Sequence, residues 1–204
     1  MAIVADTNII INSSYRFTAS GCADVIAKLT SVRDWKLAHE VMDEYYGAYA
    51  ADLAMMSARL IAKNAHLLKT DTEQGLRVLI EALISYGVAM SIAGSSRPCS
   101  GSEHLFSHAL DMIHCPHAMH GEQCGVGSVL AAYLHRANWK RIRDTLKQIG
   151  APTTACELGV KDEDVVKALE MAATIRPERY TILHKLNLNR EACEKVAKIT
   201  GIIG

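Results

Sequence analysis

The chain has 204 residues, 50% of them hydrophobic, and its 22 basic side chains balance 22 acidic ones at a formal net charge of zero. That length accommodates one ordinary soluble domain or two small ones, and the charge balance excludes the clustered Lys and Arg that neutralise nucleic-acid phosphates or anionic membrane surfaces. The densest basic run, Lys140-Arg141-x-Arg143, is short and reads as a solvated helix face. The longest uncharged stretch, Ala82 to Ser96, falls short of the roughly 18 residues a membrane span needs, so no transmembrane helix is expected. The N-terminus has no basic region and meets Asp6 early, unlike a signal peptide, so a cytoplasmic location is expected. Six cysteines without CxxC pairing read as reduced thiols.

From the N-terminus, Ile3, Val4, Ile9, Ile10 and Ile11 flank a polar Asp6-Thr7-Asn8 break, which predicts one buried strand leading into a turn. Almost everything after it reads as helix. From Val41 to about Leu68, Met42, Tyr45, Tyr49, Leu53, Met56 and Leu60 recur on one helical face, with a bend allowed at Gly47. A helix follows over 71–93 behind an Asp71 or Thr70 cap, then one over 161–175 with Val165, Leu169 and Ala173 on one side. The last carries Leu188, Ala192, Val196 and Ile199. Pro98, Pro116, Pro152 and Pro177 all fall between periodic segments, where a missing backbone donor does least harm. The predicted fold class is mainly α, a helical bundle with one N-terminal strand. A lone strand cannot satisfy its own backbone groups, so it is expected to pair with sequence upstream of this chain.

Five of the nine histidines, His104, His108, His114, His117 and His120, crowd into one short stretch. Ser100-x-x-Glu103 matches a capping box and predicts a helix start near Gly101. His104 and His108 then lie four apart on one face, a spacing at which two imidazoles can converge on one cation. His120 heads the next helix and can face back toward them, whereas His114 and His117 read as exposed loop residues beside Pro116. A divalent metal with two imidazoles wants a carboxylate too, and spacing leaves that choice open among Glu103, Asp111, Glu122 and more distant acids. Cys99, Cys115 and Cys124 lie close enough in sequence to be thiol ligands or nucleophiles, a weaker reading. No GxSxG elbow, GxxxxGK[ST] loop or GxGxxG turn is present, and Gly121-x-x-x-Gly125-x-Gly127 reads as close helix packing.

Three blocks together resemble the sn-glycerol-1-phosphate dehydrogenase family: Ala19-Ser20-Gly21-Cys22-Ala23-Asp24-Val25-Ile26, then Ser95-Ser96-Arg97-Pro98-Cys99-Ser100-Gly101-Ser102-Glu103-His104-Leu105-Phe106-Ser107-His108-Ala109-Leu110-Asp111, then His120-Gly121-Glu122-Gln123. The family is similar in architecture to glycerol dehydrogenase and dehydroquinate synthase, the latter being the weaker match to the Ser-Gly-Ser-Glu-His context. The resemblance implies a Rossmann-like NAD(P) domain followed by a helical domain holding a catalytic zinc. On this reading residues 1–12 are the terminal strand of the nucleotide domain and 13–204 the helical metal- and substrate-binding domain. Roughly 100 to 150 residues of a nucleotide domain, with every NAD(P) contact, are then expected outside this sequence.

Carried over residue by residue, the resemblance implies Asp24, His104 and His120 as zinc ligands, with Asp24 and His108 contacting substrate and His108 as the catalytic group. One carboxylate and two imidazoles with an open fourth position suit a catalytic zinc. The implied reaction is reversible reduction of dihydroxyacetone phosphate to sn-glycerol 1-phosphate by NADH or NADPH, a step in archaeal lipid synthesis, in a homo-oligomer. Arg97 is a candidate for the substrate phosphate, or else for a nearby carboxylate, and Glu122 for orienting a ligand imidazole. The rival reading is a zinc-binding helical module, silent without a partner nucleotide domain.

Overall fold

The structure, a computed structural model, describes residues 3–70, 72–113 and 118–204. Its helices are α1 (Thr7–Ile11), α2 (Tyr15–Ile26), α3 (Lys28–Met42), α4 (Ala48–Asn64), α5 (Leu67–Thr70), α6 (Thr72–Ala93), α7 (Ser102–Ile113), α8 (His120–Leu134), α9 (Trp139–Ile149), α10 (Ala155–Leu158), α11 (Asp162–Ile175), α12 (Ile182–Leu186) and α13 (Arg190–Ile199). The main packings are α4 on α6, α7 on α8 and α11, and α2 on α8. Mainly α is therefore right. The calls that rest on Asp71, His114, Cys115, Pro116 and His117 lie outside the described residues.

The N-terminal strand is corrected: no strand occurs among the described residues, and Thr7–Ile11 is a helix. The polar break that was read as a turn is a cap, for the Asp6 carboxylate accepts hydrogen bonds from the backbone N–H groups of Asn8 (2.9 Å) and Ile9 (3.4 Å). The boundary at residue 12 loses its strand with this. The predicted long helix from Val41 also divides, because α3 ends at Asp43 in the left-handed region (φ 54) and α4 starts after Gly47. Its apolar stripe faces outward, with Tyr49 at 72% and Met56 at 48% exposure. The buried face of α4 consists of Ala50, Ala51, Ala54, Ser57, Ala58 and Ile61, small residues that let it lie close against α6. In α11 the prediction is accurate, with Val165 and Leu169 buried.

Helix α6 is long and apolar enough to cross a membrane by length and composition alone, with mean hydropathy 1.6 over an 18-residue window. The count of uncharged residues missed this because the apolar window includes two charged residues, Arg77 and Glu81. Leu76, Leu79, Ala82 and Ala89 of this helix are buried in the bundle, while Ile84, Val88 and Ile92 are exposed.

Helix α8 is buried around most of its circumference, so its neighbours must come very close. A Cβ on Gly121 would lie 2.1 Å from the Ser20 carbonyl oxygen of α2, and one on Gly127 would lie 2.8 Å from the Glu103 carbonyl oxygen of α7. The glycine spacing in this stretch thus serves helix packing, as its pattern suggests. The far end of α8 is tied through Asp34, a fully buried residue of α3. One Asp34 oxygen accepts from the Ser102 N–H (2.6 Å) and hydroxyl, the other from His135 Nε2 (2.9 Å) and the Ile182 N–H (2.7 Å). One carboxylate therefore joins the starts of α7 and α12 to the end of α8.

Gly121→Ala is expected to destabilise the fold by about 1–3 kcal/mol or more, since backbone cannot give way as a side chain does. Gly87→Ala, whose added methyl meets nothing within 4 Å, should gain about 0.5–1 kcal/mol from helix propensity. Urea unfolding of the two variants checks the contrast. Asp34→Ala strands several buried donors and should cost about 3–5 kcal/mol in the same measurement.

Candidate metal centre

Four possible donors converge where α2, α7 and α8 meet. They are Asp24 on α2, His104 on the first turn of α7, His120 at the start of α8, and Cys124 one turn further along α8; one ligand atom from each lies within 4.8 Å of all the others. His104 Nε2 is 3.4 Å from Asp24 Oδ1, and the His104 and His120 rings are 5.0 Å apart. The carboxylate that joins this group is the distant Asp24. Glu103, Asp111 and Glu122 stand outside the group.

Hydrogen bonds settle which nitrogen of each imidazole is available. His104 Nδ1 is 2.9 Å from the buried Glu103 carboxylate, which accepts only, so Nδ1 carries a proton and Nε2 presents a lone pair when the ring is neutral. The same carboxylate accepts from the Gly101 N–H (2.7 Å) and the Thr30 hydroxyl (2.7 Å). Glu103 caps α7 as its position suggests, though through Gly101 and not Ser100. For His120, the Ser107 hydroxyl donates to Gln123 Oε1 (2.6 Å) and so accepts from Nδ1–H at 3.1 Å, while Gln123 Nε2 donates to Asp111 Oδ1 (2.9 Å). That chain leaves Nε2 of His120 as the lone pair, facing Cys124 Sγ at 3.4 Å.

Two imidazole nitrogens, a carboxylate and a sulfur thus face one another, joined by the proton of the Cys124 thiol and by that of His104 Nε2 when the ring is charged. Acceptors at such separations repel unless a proton or a cation lies between. The electrostatics reflect this. Burial pushes His104 down, but Cys124, Asp24 and Glu103 more than offset it and raise the ring well above the ordinary imidazole range. Burial alone would push the Asp24 carboxyl up, yet Lys28 and His104 hold it well below the usual carboxylate range. Cys124 is likewise lowered against its burial by the two imidazoles. This donor chemistry fits a bound divalent cation.

His108 is not one of the four donors. Its ring stacks near His120, with centroids 5.9 Å apart and planes 27° apart, and it is held below the ordinary range by burial, then by His104 and His120. Spacing alone paired His104 with His108, whereas the fold pairs His104 with His120. Sequence reasoning missed the supports of Asp24, which accepts from Lys28 Nζ (3.0 Å) at Oδ1 and from the Tyr86 hydroxyl (3.0 Å) at Oδ2. Lys28 is almost fully buried and lies over the Tyr86 ring, 4.5 Å from its centroid. The i,i+4 spacing of Asp24 and Lys28 was a visible signal; Tyr86 left none.

Of two further candidates, Arg97 takes the nearby-carboxylate alternative and Glu122 takes a partner other than an imidazole. The buried Arg97 guanidinium is occupied by both Glu44 carboxylate oxygens and the Tyr180 carbonyl (2.9 Å), so it ties the α3–α4 connection to the segment before α12. Glu122 pairs with Arg16 through two hydrogen bonds (2.6 and 2.7 Å) and caps the Met119 N–H (2.8 Å), touching no ligand imidazole. The role foreseen for Glu122 is filled by Glu103 and Ser107.

A crystal structure of glycerol dehydrogenase from Schizosaccharomyces pombe shares this fold, with a TM-score of 0.70 over 96% of this chain and 52% of that one at 19% identity. No family model matches the chain. Over its whole length it is 57% identical to the glycerol-1-phosphate dehydrogenase (NAD(P)+) of Thermococcus sibiricus, and 55% identical to those of Pyrococcus horikoshii and Methanosarcina mazei. The likeness read from three sequence blocks therefore extends over the entire chain. The chain spans about 58% of the length of these curated relatives.

Proposed function

We propose that this chain is the metal- and substrate-binding part of an NAD(P)-dependent sn-glycerol-1-phosphate dehydrogenase, acting in the cytoplasm on dihydroxyacetone phosphate. The reaction takes up a hydride and a proton at the substrate carbonyl, giving sn-glycerol 1-phosphate and NAD(P)+, and runs in both directions. The observation that carries this reading is the convergence of Asp24, His104 and His120 in a chain 57% identical over its full length to an enzyme of that name. Residues 13–204 act as the metal- and substrate-binding domain.

In this proposal Asp24, His104 and His120 hold zinc. Zinc there supplies Lewis-acid polarisation of the substrate carbonyl. The nicotinamide nucleotide supplies the hydride. The chain's own residues prepare the site. Glu103 and Ser107 fix the tautomers that turn both Nε2 atoms inward, which raises ligand basicity and removes the need to reorient on binding. Lys28 at Oδ1 and Tyr86 at Oδ2 fix the Asp24 carboxylate, orienting it for the cation and for a substrate hydroxyl. His108, beside His120 but outside the donor group, hydrogen-bonds the substrate oxygen and aligns the carbonyl. Exposed apolar side chains of α4 and α6 support association into a homo-oligomer.

Metal content by mass spectrometry tests the reading. About one zinc per chain is expected in the unmutated protein and in His108→Ala, with loss in His104→Ala and Asp24→Ala. Calorimetry on the zinc-loaded chain should show dihydroxyacetone phosphate binding roughly 10-fold weaker in His108→Ala, the effect of one lost hydrogen bond to a polar substrate. Zinc loss in His108→Ala equal to that in His104→Ala would overturn the division of roles, and an unmutated chain that takes no zinc would overturn the site.

A further inference from the structure

We propose that Cys124 is a fourth protein donor at this site, so that the chain offers the cation two nitrogens, an oxygen and a sulfur in a closed set. The inference rests on the reading of Asp24, His104 and His120 as metal ligands. It changes what that site is at rest, because three ligands would leave one position open.

Geometry carries the argument. Cys124 is fully buried and sits four residues after His120 on α8, so both side chains project from one face of the same helix. Its sulfur is 3.4 Å from His120 Nε2, the nitrogen left without a proton by the Ser107 contact. With metal bonds of about 2.0–2.3 Å, the edges of a tetrahedral site measure roughly 3.3–3.6 Å. The Cys124–His120 separation and the 3.4 Å between His104 Nε2 and Asp24 Oδ1 both equal such an edge, and no pair among the four ligand atoms exceeds 4.8 Å.

A buried cysteine that merely fills space would behave otherwise, and other thiols in the chain give the comparison. Cys99, also buried, turns its sulfur to the Tyr86 carbonyl oxygen at 3.6 Å. Cys22 and Cys193 lie within the apolar core. Cys124 alone among the described cysteines belongs to the convergent group.

The consequence is chemical. A thiolate is a soft donor and selects zinc or cobalt over magnesium, calcium or manganese. On binding, the thiol yields its proton to solvent, the cation taking the place of that proton on sulfur. Substrate then reaches the metal either by expansion to five ligands or by release of the sulfur.

Cobalt(II) added to the metal-free 204-residue chain tests the proposal. Visible ligand-field bands are expected, together with a thiolate-to-cobalt charge-transfer band in the near ultraviolet. The charge-transfer band should vanish in Cys124→Ser and Cys124→Ala while the ligand-field bands remain, and Cys99→Ala should keep both. Zinc affinity of Cys124→Ala, measured by chelator competition, should fall roughly 10-fold or more. Ligand-field bands without charge transfer in the unmutated chain would overturn the role of Cys124 and leave the three-ligand reading standing, whatever the folding of the variants. Charge transfer that survives in Cys124→Ala would do the same. Failure to take up cobalt at all would overturn the metal reading and this inference with it.

Discussion

The approach of α8 to α2 at Gly121 is the constraint on which the site depends. A helix axis is normally held 8–10 Å from its neighbour by side chains at the contact. Here no side chain fits between them, since a methyl group on Gly121 would overlap the Ser20 carbonyl. That closeness brings the carboxylate of Asp24, one turn after Ser20, to the imidazole of His120, one residue before the glycine. Gly127 repeats the device against the backbone of Glu103 and draws in His104 from α7. Three donors from three helices meet because two glycines remove the distance that ordinary residues would impose.

Close packing explains the meeting of the donors, while hydrogen bonding explains their aim. Each of the two convergent imidazoles has its Nδ1 committed to an acceptor, Glu103 for one and Ser107 for the other. Those acceptors are themselves fixed, Glu103 by Gly101 and Thr30, Ser107 by Gln123, and Gln123 by Asp111. The result is a cluster of inward-facing acceptor atoms, which repel one another unless protons or a cation lie between them. A protein that pays this electrostatic penalty gains a site that needs no rearrangement when a cation arrives.

Much of this was legible in the sequence, and the failures have identifiable causes. The prolines, the period of α11, the start of α7 and the position of His120 at the head of α8 are local signals, and they hold where the structure describes them. The first isoleucines misled because β-branched residues around Asp6-Thr7-Asn8 fit a strand as well as a capped helix, and only the Asp6 carboxylate on the Asn8 N–H decides between them. The stripe of Tyr49, Met56 and Leu60 misled differently. Periodicity finds the face with large apolar residues, whereas α4 buries its alanines, since small residues allow the tightest contact with α6. At the site, spacing within one helix offered His104 with His108, and no local rule could bring Asp24 across some eighty positions. The family likeness supplied that pair, and the fold supplied Lys28, Tyr86, Ser107 and the sulfur of Cys124.

The fate of the charged candidates shows how the chain divides its polar groups. Arg97 and Glu122 stand in the same motifs as His104 and His120, yet both are used to join segments, Arg97 to Glu44 and Glu122 to Arg16. Asp34 does the same work at the opposite end of α8, joining it to the starts of α7 and α12 through one buried carboxylate. The Asp34 and Glu122 ties lie on α7 and α8, the elements that carry His104 and His120, and hold α8 at both ends. Every donor of the convergent group, and every residue that aims one, comes from within the described chain. The arrangement of these donors is therefore a property of the helical bundle itself.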